Sequence, residues 1–457
     1  MFALPWVLTC RDSGDRLAAQ AALHPAPGTV EGPSLWIDPA RRFQAVLGFG
    51  GAFTEAAAVT WQALSAPQRE ALLRDYFDPL HGHGYTLCRV HMNSCDFALG
   101  NYAHADVPGD LALQHFNIDR DRQALLPFVQ AALRAAGRPV RLLVSPWSPP
   151  AWMKSNGQMN HGGQLLPQFA AVWAQCYVRF IQAYEAEGVP VWGVSVQNEP
   201  EATQRWDSCR YSAQQERDFV RDHLGPALAA AGLDRIKIIV WDHNRDRLVE
   251  RAGVVYRDAQ AARYVWGAGF HWYGQDHFDQ VQLLHDAWPD KQLLFTEGCQ
   301  EGGPHTGSWH LGERYARSMV NDFNRWTVGW IDWNLVLDET GGPNHVGNLC
   351  SAPVLVDRAA EALLHQSSFF YIAHFARYVQ PGAHRVLCAS GAQDLEACAF
   401  INPDDSVVVV LLNRTEATIS FGLHFGDAPE AGTVAVQLPA RAIITLLRPA
   451  GGAGILK

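Results

Sequence analysis

The sequence predicts an α/β protein, a (β/α)8 TIM barrel with a side-fused antiparallel β-sandwich. Three observations predict this fold. Short apolar runs alternate with longer helical patterns over most of the chain, a β-rich segment follows them, and polar groups recur where the apolar runs end. The chain has 457 residues, which is enough for a barrel and a smaller partner domain.

Eight apolar runs have the length and composition of buried parallel strands, at 47–53, 85–90, 140–145, 191–197, 236–241, 264–271, 293–296 and 328–335. Each is followed by an apolar-periodic segment typical of a helix, at 61–76, 121–136, 168–187, 213–231, 246–262, 278–288, 311–326 and 367–379. Eight such units in order are what a closed barrel requires, so we predict a catalytic barrel over residues 46–380. The glycines at 48–51 lack the spacing of a phosphate-binding loop, and a tight strand-end turn explains them better.

The sequence pattern changes after the barrel. Short β-rich runs occur at 385–390, 395–401, 406–412, 418–425, 433–438 and 442–447, with turn residues between them. We predict a C-terminal β-sandwich over residues 381–457. The first 45 residues carry similar short apolar runs, so residues 1–45 are predicted to supply N-terminal strands to the same sandwich.

Composition limits the classes of function. Hydrophobic residues make up 48% of the chain and charged residues 18%, which favours a large packed core over disorder. The formal net charge of -10 disfavours a nucleic-acid partner. No run is long enough to predict a membrane-spanning segment. The sequence gives no oligomeric state.

The nine cysteines form no CxxC pair, so neither a disulfide framework nor a zinc ribbon is expected. Free thiols suit a reducing compartment. The N-terminus lacks a basic start and its apolar run is broken by Pro5, so no signal peptide is expected. The expected localisation is therefore cytoplasmic, or secreted or periplasmic if a leader has been trimmed away.

Two carboxylates stand at the ends of predicted barrel strands, Glu199 and Glu297. Paired carboxylates are the chemistry of glycoside hydrolysis, in which one protonates the leaving oxygen and the other acts on the opposite face of the sugar. Each alone has a plainer explanation, because Glu199 could cap the next helix and Glu297 could pair with an arginine. Because both glutamates are predicted on the same rim, with Arg89 also there, a catalytic role is favoured over these plainer explanations. Glu301 is a competitor near Glu297.

Other polar and aromatic side chains crowd the same predicted rim. They follow strands two, three, four, six, seven and eight of the barrel, at Arg89, Asn93, Asp96, 145–150, 198–200, 271–273, Glu297 and 332–334. Functional groups of such barrels sit at the carboxyl ends of the strands. The rim therefore has the composition that a sugar pocket needs.

Eight motifs, in order and spread over nearly the whole chain, carry a resemblance to a known family. They are GFGGAFTE at 48–55, RVHMNSCDF at 89–97, SPWSPPAWMK at 145–154, QNEP at 197–200, HWY at 271–273, TEGC at 296–299, GWIDWN at 329–334, and GGPN at 341–344 followed by Asn348. In these motifs the chain resembles glycoside hydrolase family 30, in its glucosylceramidase-like (acid β-glucosidase type) branch.

The resemblance implies a retaining mechanism, with Glu199 as the acid/base and Glu297 as the nucleophile. It implies substrate-binding roles for Asp96, Trp147, Asn198, Tyr273, Trp333 and Asn348. It implies supporting roles behind them for Arg89, His271 and Cys299. In a retaining enzyme the two carboxyl groups lie about 5–5.5 Å apart.

We therefore expect a retaining exo-acting β-glycosidase that hydrolyses β-glucosides, with glucosylceramide among the candidate substrates. β-Xylosidase, β-1,6-glucanase and β-fucosidase activities of the same family remain alternatives. From other classes, a non-catalytic carbohydrate-binding protein and a metal-dependent barrel hydrolase remain. The sequence lacks the His/Asp ligand cluster that a metal-dependent hydrolase would need. We therefore expect neither a metal nor another cofactor. The expected partner is a β-linked glycoside or glycolipid.

Overall fold

The computed structural model describes residues 2–28 and 30–450. Three strands precede the barrel: β1 (Leu4–Cys10), β2 (Ala18–Leu23) and β3 (Ser34–Ala45). β1 and β3 pair with strands from the far end of the chain, and β2 pairs with β1 at the edge of the same sheet. The N-terminal segment thus builds the second domain before the barrel begins.

Eight parallel strands close into a barrel, in the order that the sequence predicts. They are β4 (Gly48–Phe53), β5 (Leu87–Met92), β6 (Arg141–Pro146), β7 (Gly193–Ser195), β8 (Lys237–Asn244), β9 (Val265–His271), β10 (Gln292–Glu297) and β11 (Thr327–Asn334). β11 pairs with β4 and completes the ring. Each of the eight predicted runs overlaps one strand, so the predicted barrel is confirmed.

The helices lie between and after the barrel strands. They are α1 (Glu55–Ala63), α2 (Ala66–Phe77), α3 (Leu125–Ala136), α4 (Ala170–Ala186), α5 (Ala213–Phe219), α6 (Gly225–Ala230), α7 (Leu248–Tyr256), α8 (Ala259–Ala262), α9 (Phe278–Ala287), α10 (Trp309–Phe323) and α11 (Ser367–Ala376). The helix predicted over 61–76 is in fact the end of α1 and most of α2. Ser65 and Gln68 form a capping box that starts α2 anew, with a proline in its first turn.

The glycines at the start of the barrel form β4 itself and not the predicted turn, which is a correction. Gly50 sits so close to β5 that a Cβ atom placed there would lie 1.6 Å from the carbonyl oxygen of Leu87. Only glycine fits such a close approach of two backbones. The glycines are therefore a packing requirement of the barrel wall.

The remaining strands form two further sheets. A small one, absent from the sequence prediction, joins β12 (Val336–Asp338), β13 (Val354–Asp357) and β14 (Ala362–His365). The large one contains β15 (His384–Ser390), β16 (Leu395–Ile401), β17 (Val407–Asn413), β18 (Ile419–Phe425), β19 (Val434–Leu438) and β20 (Ala442–Arg448). With the N-terminal strands they run in the order β19-β18-β3-β15-β16-β17-β20-β1-β2. The pairs are antiparallel except β3 with β18, which is parallel.

This nine-stranded sheet corresponds to the predicted β-sandwich, so the prediction of a β-sandwich domain is confirmed. The domain boundaries at 45/46 and 380/381 stay a prediction, and residues 1, 29 and 451–457 of those domains lie outside the described residues. The sandwich has an apolar cluster of its own, while six of its side chains join the main core of the barrel: Cys398, Phe400, Val408, Val410, Leu412 and Ile443.

A buried histidine also joins the two domains. His374 of α11 lies 2.9 Å from the hydroxyl of Thr9 in β1 and 2.9 Å from that of Thr445 in β20. Burial lowers its pKa to about 3, so the ring is neutral at pH 7. Within residues 2–28 and 30–450, no helix is both long and apolar enough to cross a membrane.

Candidate active site

Nine of the predicted site residues line one cavity of about 120 Å³ at the carboxyl ends of the barrel strands, whereas the predicted rim residues Asn93 and Asp332 do not line it. Its lining comprises Asp96, Trp147, Asn198, Glu199, Gln204, Trp206, His243, Asn244, Tyr273, Glu297, Cys299, Glu301, Trp333, Asn348 and Cys350. All six predicted substrate-binding residues and both predicted catalytic glutamates are in this set. At about 120 Å³ the cavity is smaller than the roughly 300–1,000 Å³ of pockets for drug-sized ligands, as a site for one small sugar unit would be.

Glu297 ends β10 and is held by two donors. Arg89 Nη1 donates to its Oε2 at 2.6 Å, and Tyr273 OH donates to its Oε1 at 3.0 Å. The pairing of β10 with β9 shifts register between Phe295 and Glu297. Such an irregularity at a strand end re-aims a side chain, which here brings the carboxylate into the cavity.

Glu199 follows β7 in a strained backbone conformation. Its φ is 48°, in the left-handed region that non-glycine residues rarely adopt. The backbone is fixed there because Glu199 N–H donates to the carbonyl of Asp242 at 3.0 Å and Asn198 N–H donates to that of Pro146 at 2.8 Å. The surrounding barrel therefore holds the Glu199 carboxyl in place, aimed into the cavity.

The two carboxylates face each other closely. One oxygen of Glu199, one of Glu297 and a ring nitrogen of His271 all lie within 4.8 Å of one another. Inverting enzymes separate their carboxyl groups by about 6.5–9.5 Å, and retaining enzymes by about 5–5.5 Å. The close approach of the nearest carboxyl oxygens fits the retaining arrangement better than the inverting one.

A buried carboxylate that the sequence argument missed connects both sides of this pair. Asp242 accepts from Arg89 Nη2 at 2.7 Å and from the hydroxyl of Thr296 at 2.6 Å, and it lies 3.1 Å from His271 Nε2. The other ring nitrogen of His271 lies 3.2 Å from Glu199 Oε1. A continuous chain of contacts thus runs from Glu199 through His271, Asp242 and Arg89 to Glu297.

The signal for Asp242 was present in the sequence. The predicted strand five ends at Trp241, and Asp242 follows it directly. Strands one and five are the two predicted strand ends to which the sequence assigns no functional group. Both Trp241 and Asp242 have positive φ, and β8 shifts register against β9 at this point. His243 and Asn244, the next residues, line the cavity and were missed for the same reason.

Two titratable groups in this chain of contacts, His271 and Asp242, have strongly shifted pKa values. Burial alone would lower the pKa of His271, but Glu297, Asp242 and Glu199 raise it to about 9, so the ring is protonated at pH 7. Although burial acts against it, Arg89 holds the pKa of Asp242 well below its usual range.

The two glutamates differ in the free pocket. Burial raises the pKa of Glu297, although His271 and Arg89 oppose that change. Burial also acts to raise the pKa of Glu199, but His243 and His271 outweigh it and bring the pKa below its usual value. His271, whose pKa is about 9, therefore carries a proton at pH 7 at a position 3.2 Å from Glu199 Oε1.

Besides the two glutamates, the carboxyl group of Asp96 lines the cavity. Asp96 Oδ2 accepts from the side-chain amides of Asn348 at 3.0 Å and Asn344 at 3.2 Å. Burial raises the pKa of Asp96 to about 7, and the nearby Glu297 adds to that effect. A carboxyl group in this state can accept hydrogen bonds from sugar hydroxyls in the pocket.

Two tryptophans form part of the wall. Trp147 and Trp333 stack with ring centroids 5.1 Å apart. The guanidinium of Arg89 lies 4.8 Å from the ring centre of Trp147 and 5.8 Å from that of Trp333. Cation–π contact with both rings helps to fix the orientation of Arg89, and hence of its hydrogen bond to Glu297.

Among the predicted supporting residues, Cys299 lines the cavity while Arg89 and His271 lie behind its wall. Besides the residues after β8, the sequence argument missed Gln204, Trp206 and Cys350. The first two lie on the loop after β7 and the last between β12 and β13. Loop residues of this kind carry no strand-end signal. Glu301, the predicted competitor, also lines the cavity.

The cluster of Glu199, His271 and Glu297 is also the arrangement of donors that a metal ion would need. Its charges do not suit one, because His271 carries a proton at neutral pH and a metal ligand must be neutral imidazole. The cation of Arg89 already pairs with Glu297. The donor set therefore fits proton transfer better than metal binding.

A parallel barrel with two carboxylates facing each other across a one-sugar cavity defines a retaining glycoside hydrolase. The chain belongs to glycoside hydrolase family 30. The model of the glycosyl hydrolase family 30 TIM-barrel domain matches residues 46–379, and that of the family's beta sandwich domain matches residues 382–446.

Individual relatives agree with this assignment. The lysosomal acid glucosylceramidase of Mus musculus is 36% identical over 453 residues, covering 95% of this chain and 87% of the relative. An endo-1,6-beta-D-glucanase of Neurospora crassa is 30% identical over 469 residues, covering 97% of this chain and 94% of the relative. The crystal structure of SrfJ from Salmonella typhimurium matches with a TM-score of 0.92 and 37% identity, covering 98% of this chain and 99% of that one.

Proposed function

We propose that the protein is an exo-acting β-glucosidase whose substrates include glucosylated lipids. The observation that carries this proposal is that the Asp96 carboxyl lines the same small cavity, of about 120 Å³, as the two glutamates. Asn344 and Asn348 hold the Asp96 carboxyl in place, so a bound sugar would meet a wall beyond its non-reducing end. A pocket closed at that end favours removal of single terminal units over cleavage within a chain.

In the proposed mechanism Glu297 attacks the anomeric carbon while Glu199 protonates the leaving oxygen. The carboxylate of Glu297 is oriented by Arg89 and Tyr273. The proton for Glu199 comes from the adjacent His271, whose ring nitrogen lies 3.2 Å from the carboxyl oxygen. Water then attacks the glycosyl–enzyme ester with Glu199 as base, and the proton that Glu199 takes from the water returns to His271, which restores all three groups.

The remaining site roles are proposed from position. Asn198 would accept or donate a hydrogen bond to the 2-hydroxyl, since it precedes Glu199 and lines the cavity. Trp147 and Trp333 would pack against the sugar ring, and Asp96 with Asn348 would bind its far hydroxyls. Cys299 would complete the wall beside Tyr273.

A lipid aglycone is supported by apolar side chains on the loop that carries Asp96. Leu99, Val107 and Leu111 lie between β5 and α3, and their side chains are 42–59% exposed. Few large apolar side chains of the described residues are exposed to this degree, and half of those are on this loop. The mouse relative is named as a glucosylceramidase. A cytoplasmic or otherwise reducing compartment is proposed from the nine free thiols.

A substrate panel tests the sugar and the aglycone together. We expect the highest kcat/KM for an aryl β-glucoside among matched aryl β-glucoside, β-xyloside and β-fucoside, and turnover of glucosylceramide dispersed in detergent. Faster hydrolysis of the xyloside or fucoside would reassign the sugar. Release of oligosaccharides from β-1,6-glucan would favour the endo-acting alternative, and binding without turnover would favour a carbohydrate-binding protein.

Three variants test the proposed residues. Glu297→Gln should abolish turnover, because an amide cannot form the ester. Glu199→Ala should slow substrates with poor leaving groups by about 10²–10⁴-fold while retaining slow cleavage of activated aryl glucosides. Glu301→Gln is the matched control, since it also lines the cavity, and should keep turnover. Full activity in Glu297→Gln would reassign the nucleophile.

A further inference from the structure

Two cysteines from different segments meet in the wall of the catalytic cavity. Cys299 comes two residues after Glu297, and Cys350 lies between β12 and β13. The two segments pair locally as antiparallel chains. Ser351 N–H donates to the carbonyl of Gln300 at 2.8 Å, and an isolated bridge joins Glu301 to Cys350. Backbone pairing therefore keeps the two thiols beside each other.

The two thiols lie in the same part of the cavity wall. Cys299 and Cys350 belong to one buried apolar cluster with Trp147 and Trp333, and the Cys350 thiol adds to the rise in the pKa of Cys299. Both also line the cavity, so a molecule no larger than the substrate can reach them. Each is a free cysteine.

Cys299 also contacts the residue that orients the proposed nucleophile. Its sulfur lies 3.4 Å from Tyr273 OH, and Tyr273 OH donates to Glu297 Oε1 at 3.0 Å. The sulfur of Cys350 donates to the carbonyl of Asn348 at 3.6 Å, and Asn348 binds Asp96. Movement of the two sulfurs would thus reach both ends of the sugar site.

We propose that Cys299 and Cys350 form a redox-modification site, at which a small peroxide converts the two thiols to a disulfide and reversibly inactivates the enzyme. One thiol sulfur attacks the peroxide O–O bond, giving a sulfenic acid and one water. The second sulfur then displaces the hydroxyl group as another water, and the S–S bond forms. The two thiols lose two protons and two electrons, and hydrogen peroxide is reduced to two waters.

The surroundings set the rate and the consequence of this step. Burial raises the pKa of Cys299 well above its usual value, so its reaction is slow at neutral pH and faster as the pH rises. Once the disulfide forms, the Cys299 sulfur no longer has its present position against Tyr273. A displaced Tyr273 leaves the Glu297 carboxylate with one oriented donor fewer, which lowers turnover.

The test treats the full chain with hydrogen peroxide and follows two readouts, aryl β-glucoside hydrolysis and peptide mass mapping. We expect turnover to fall by about 100-fold, as for a misplaced catalytic group, and to return with dithiothreitol. The mapped peptides should show a cross-link between Cys299 and Cys350 that accumulates with the same time course. A glucose-like inhibitor bound in the cavity should slow both changes.

Two substitutions sharpen the result, each compared with its own untreated activity. Cys350→Val should remove the reversible inactivation, while Cys388→Ser should leave it as in the unsubstituted chain. Cys388 is the matched control because it is a partly exposed thiol of β15 in the sandwich. Wild-type sensitivity in Cys350→Val would overturn the proposal, as would inactivation with both thiols still reduced.

This inference rests on the proposed function only for its activity readout. If the chain hydrolyses none of the glucosides, the proposed function fails, and the mass map still decides whether the disulfide forms. If the chain is active but no Cys299–Cys350 cross-link appears, only the redox proposal fails.

Discussion

At the scale of single residues, Asp242 links the charged groups around the two glutamates, whose nearest carboxyl oxygens lie within 4.8 Å of each other. It balances Arg89, which pairs with Glu297, and it supports the proton on His271, which faces Glu199. Breaking such a buried charge network by removing one partner leaves another charge uncompensated. The charge state of the site therefore depends on the whole network.

Asp242→Asn should therefore lower kcat/KM by at least about tenfold and shift its alkaline limb to lower pH. Asp242 stabilises the imidazolium of His271, whose pKa is about 9. A neutral amide removes that support, so the proton is lost at lower pH. A pH profile of kcat/KM, with the melting temperature as a check on folding, measures this. An unmoved alkaline limb would contradict the role of Asp242.

His271 also makes stability depend on pH. Its pKa is raised from 6.5 to about 9 in the folded state. A raised pKa contributes stability that is fully present below pH 6.5 and is lost as pH rises through 9, up to about 3 kcal/mol. Chemical denaturation at pH 6 and at pH 9.5 should show this fall, and His271→Gln should show a smaller one. An equal fall in both proteins would assign the effect elsewhere.

How far the site was predictable depends on where each residue stands. Strand-end residues such as Glu199, Glu297 and Asp96 could be found because the barrel brings all strand ends to one rim. Their pKa order could not be found, since it depends on contacts with His271 and Asp242 that no spacing encodes. Cys350 was unpredictable for another reason, because only the folding of a loop brings it to the rim.

At the scale of elements, the barrel wall depends on close backbone contacts that the apolar pattern does not report. The glycine cluster at 48–51 predicts a turn, although Gly50 stands inside β4 against Leu87 of β5. The short sheet β12–β14 was missed because its strands have only three or four residues. Long periodic segments were predicted well. One predicted helix covers the end of α1 and most of α2, because the capping box between them interrupts little of the apolar pattern.

Gly50→Ala tests the role of close packing in the wall. The new Cβ would lie 1.6 Å from the carbonyl oxygen of Leu87, so β4 and β5 must separate. We expect the free energy of unfolding to fall by about 3 kcal/mol, at the upper end of overpacking costs. Gly100→Ala is the control, since nothing lies within 4 Å of a Cβ there. Equal effects from both substitutions in urea denaturation would refute the packing argument.

At the scale of the whole molecule, the two domains share one core. Side chains on one face of the sandwich belong to the main apolar cluster of the barrel, and His374 bonds strands β1 and β20 to α11. The sandwich also contains strands from both ends of the chain. Neither domain can therefore unfold without exposing part of the other.

The chain should accordingly unfold in one cooperative transition. Ile443 and Ile444 offer a matched test, because they are neighbours in β20 whose side chains enter different cores. Each Ile→Ala substitution should cost about 2–5 kcal/mol. We expect Ile443→Ala, at the shared core, to broaden or split the calorimetric transition, and Ile444→Ala to lower it without splitting. Two separate transitions in the unsubstituted chain would contradict the shared core.

The most direct test of the account is to trap the covalent intermediate. An activated 2-deoxy-2-fluoro-β-glucoside should inactivate the enzyme with release of one leaving group for each chain. Mass mapping should then find the fluoroglucosyl group on the peptide that contains Glu297. Attachment to Glu199 or Glu301, or turnover with no covalent intermediate, would contradict the assignment of the two carboxylates.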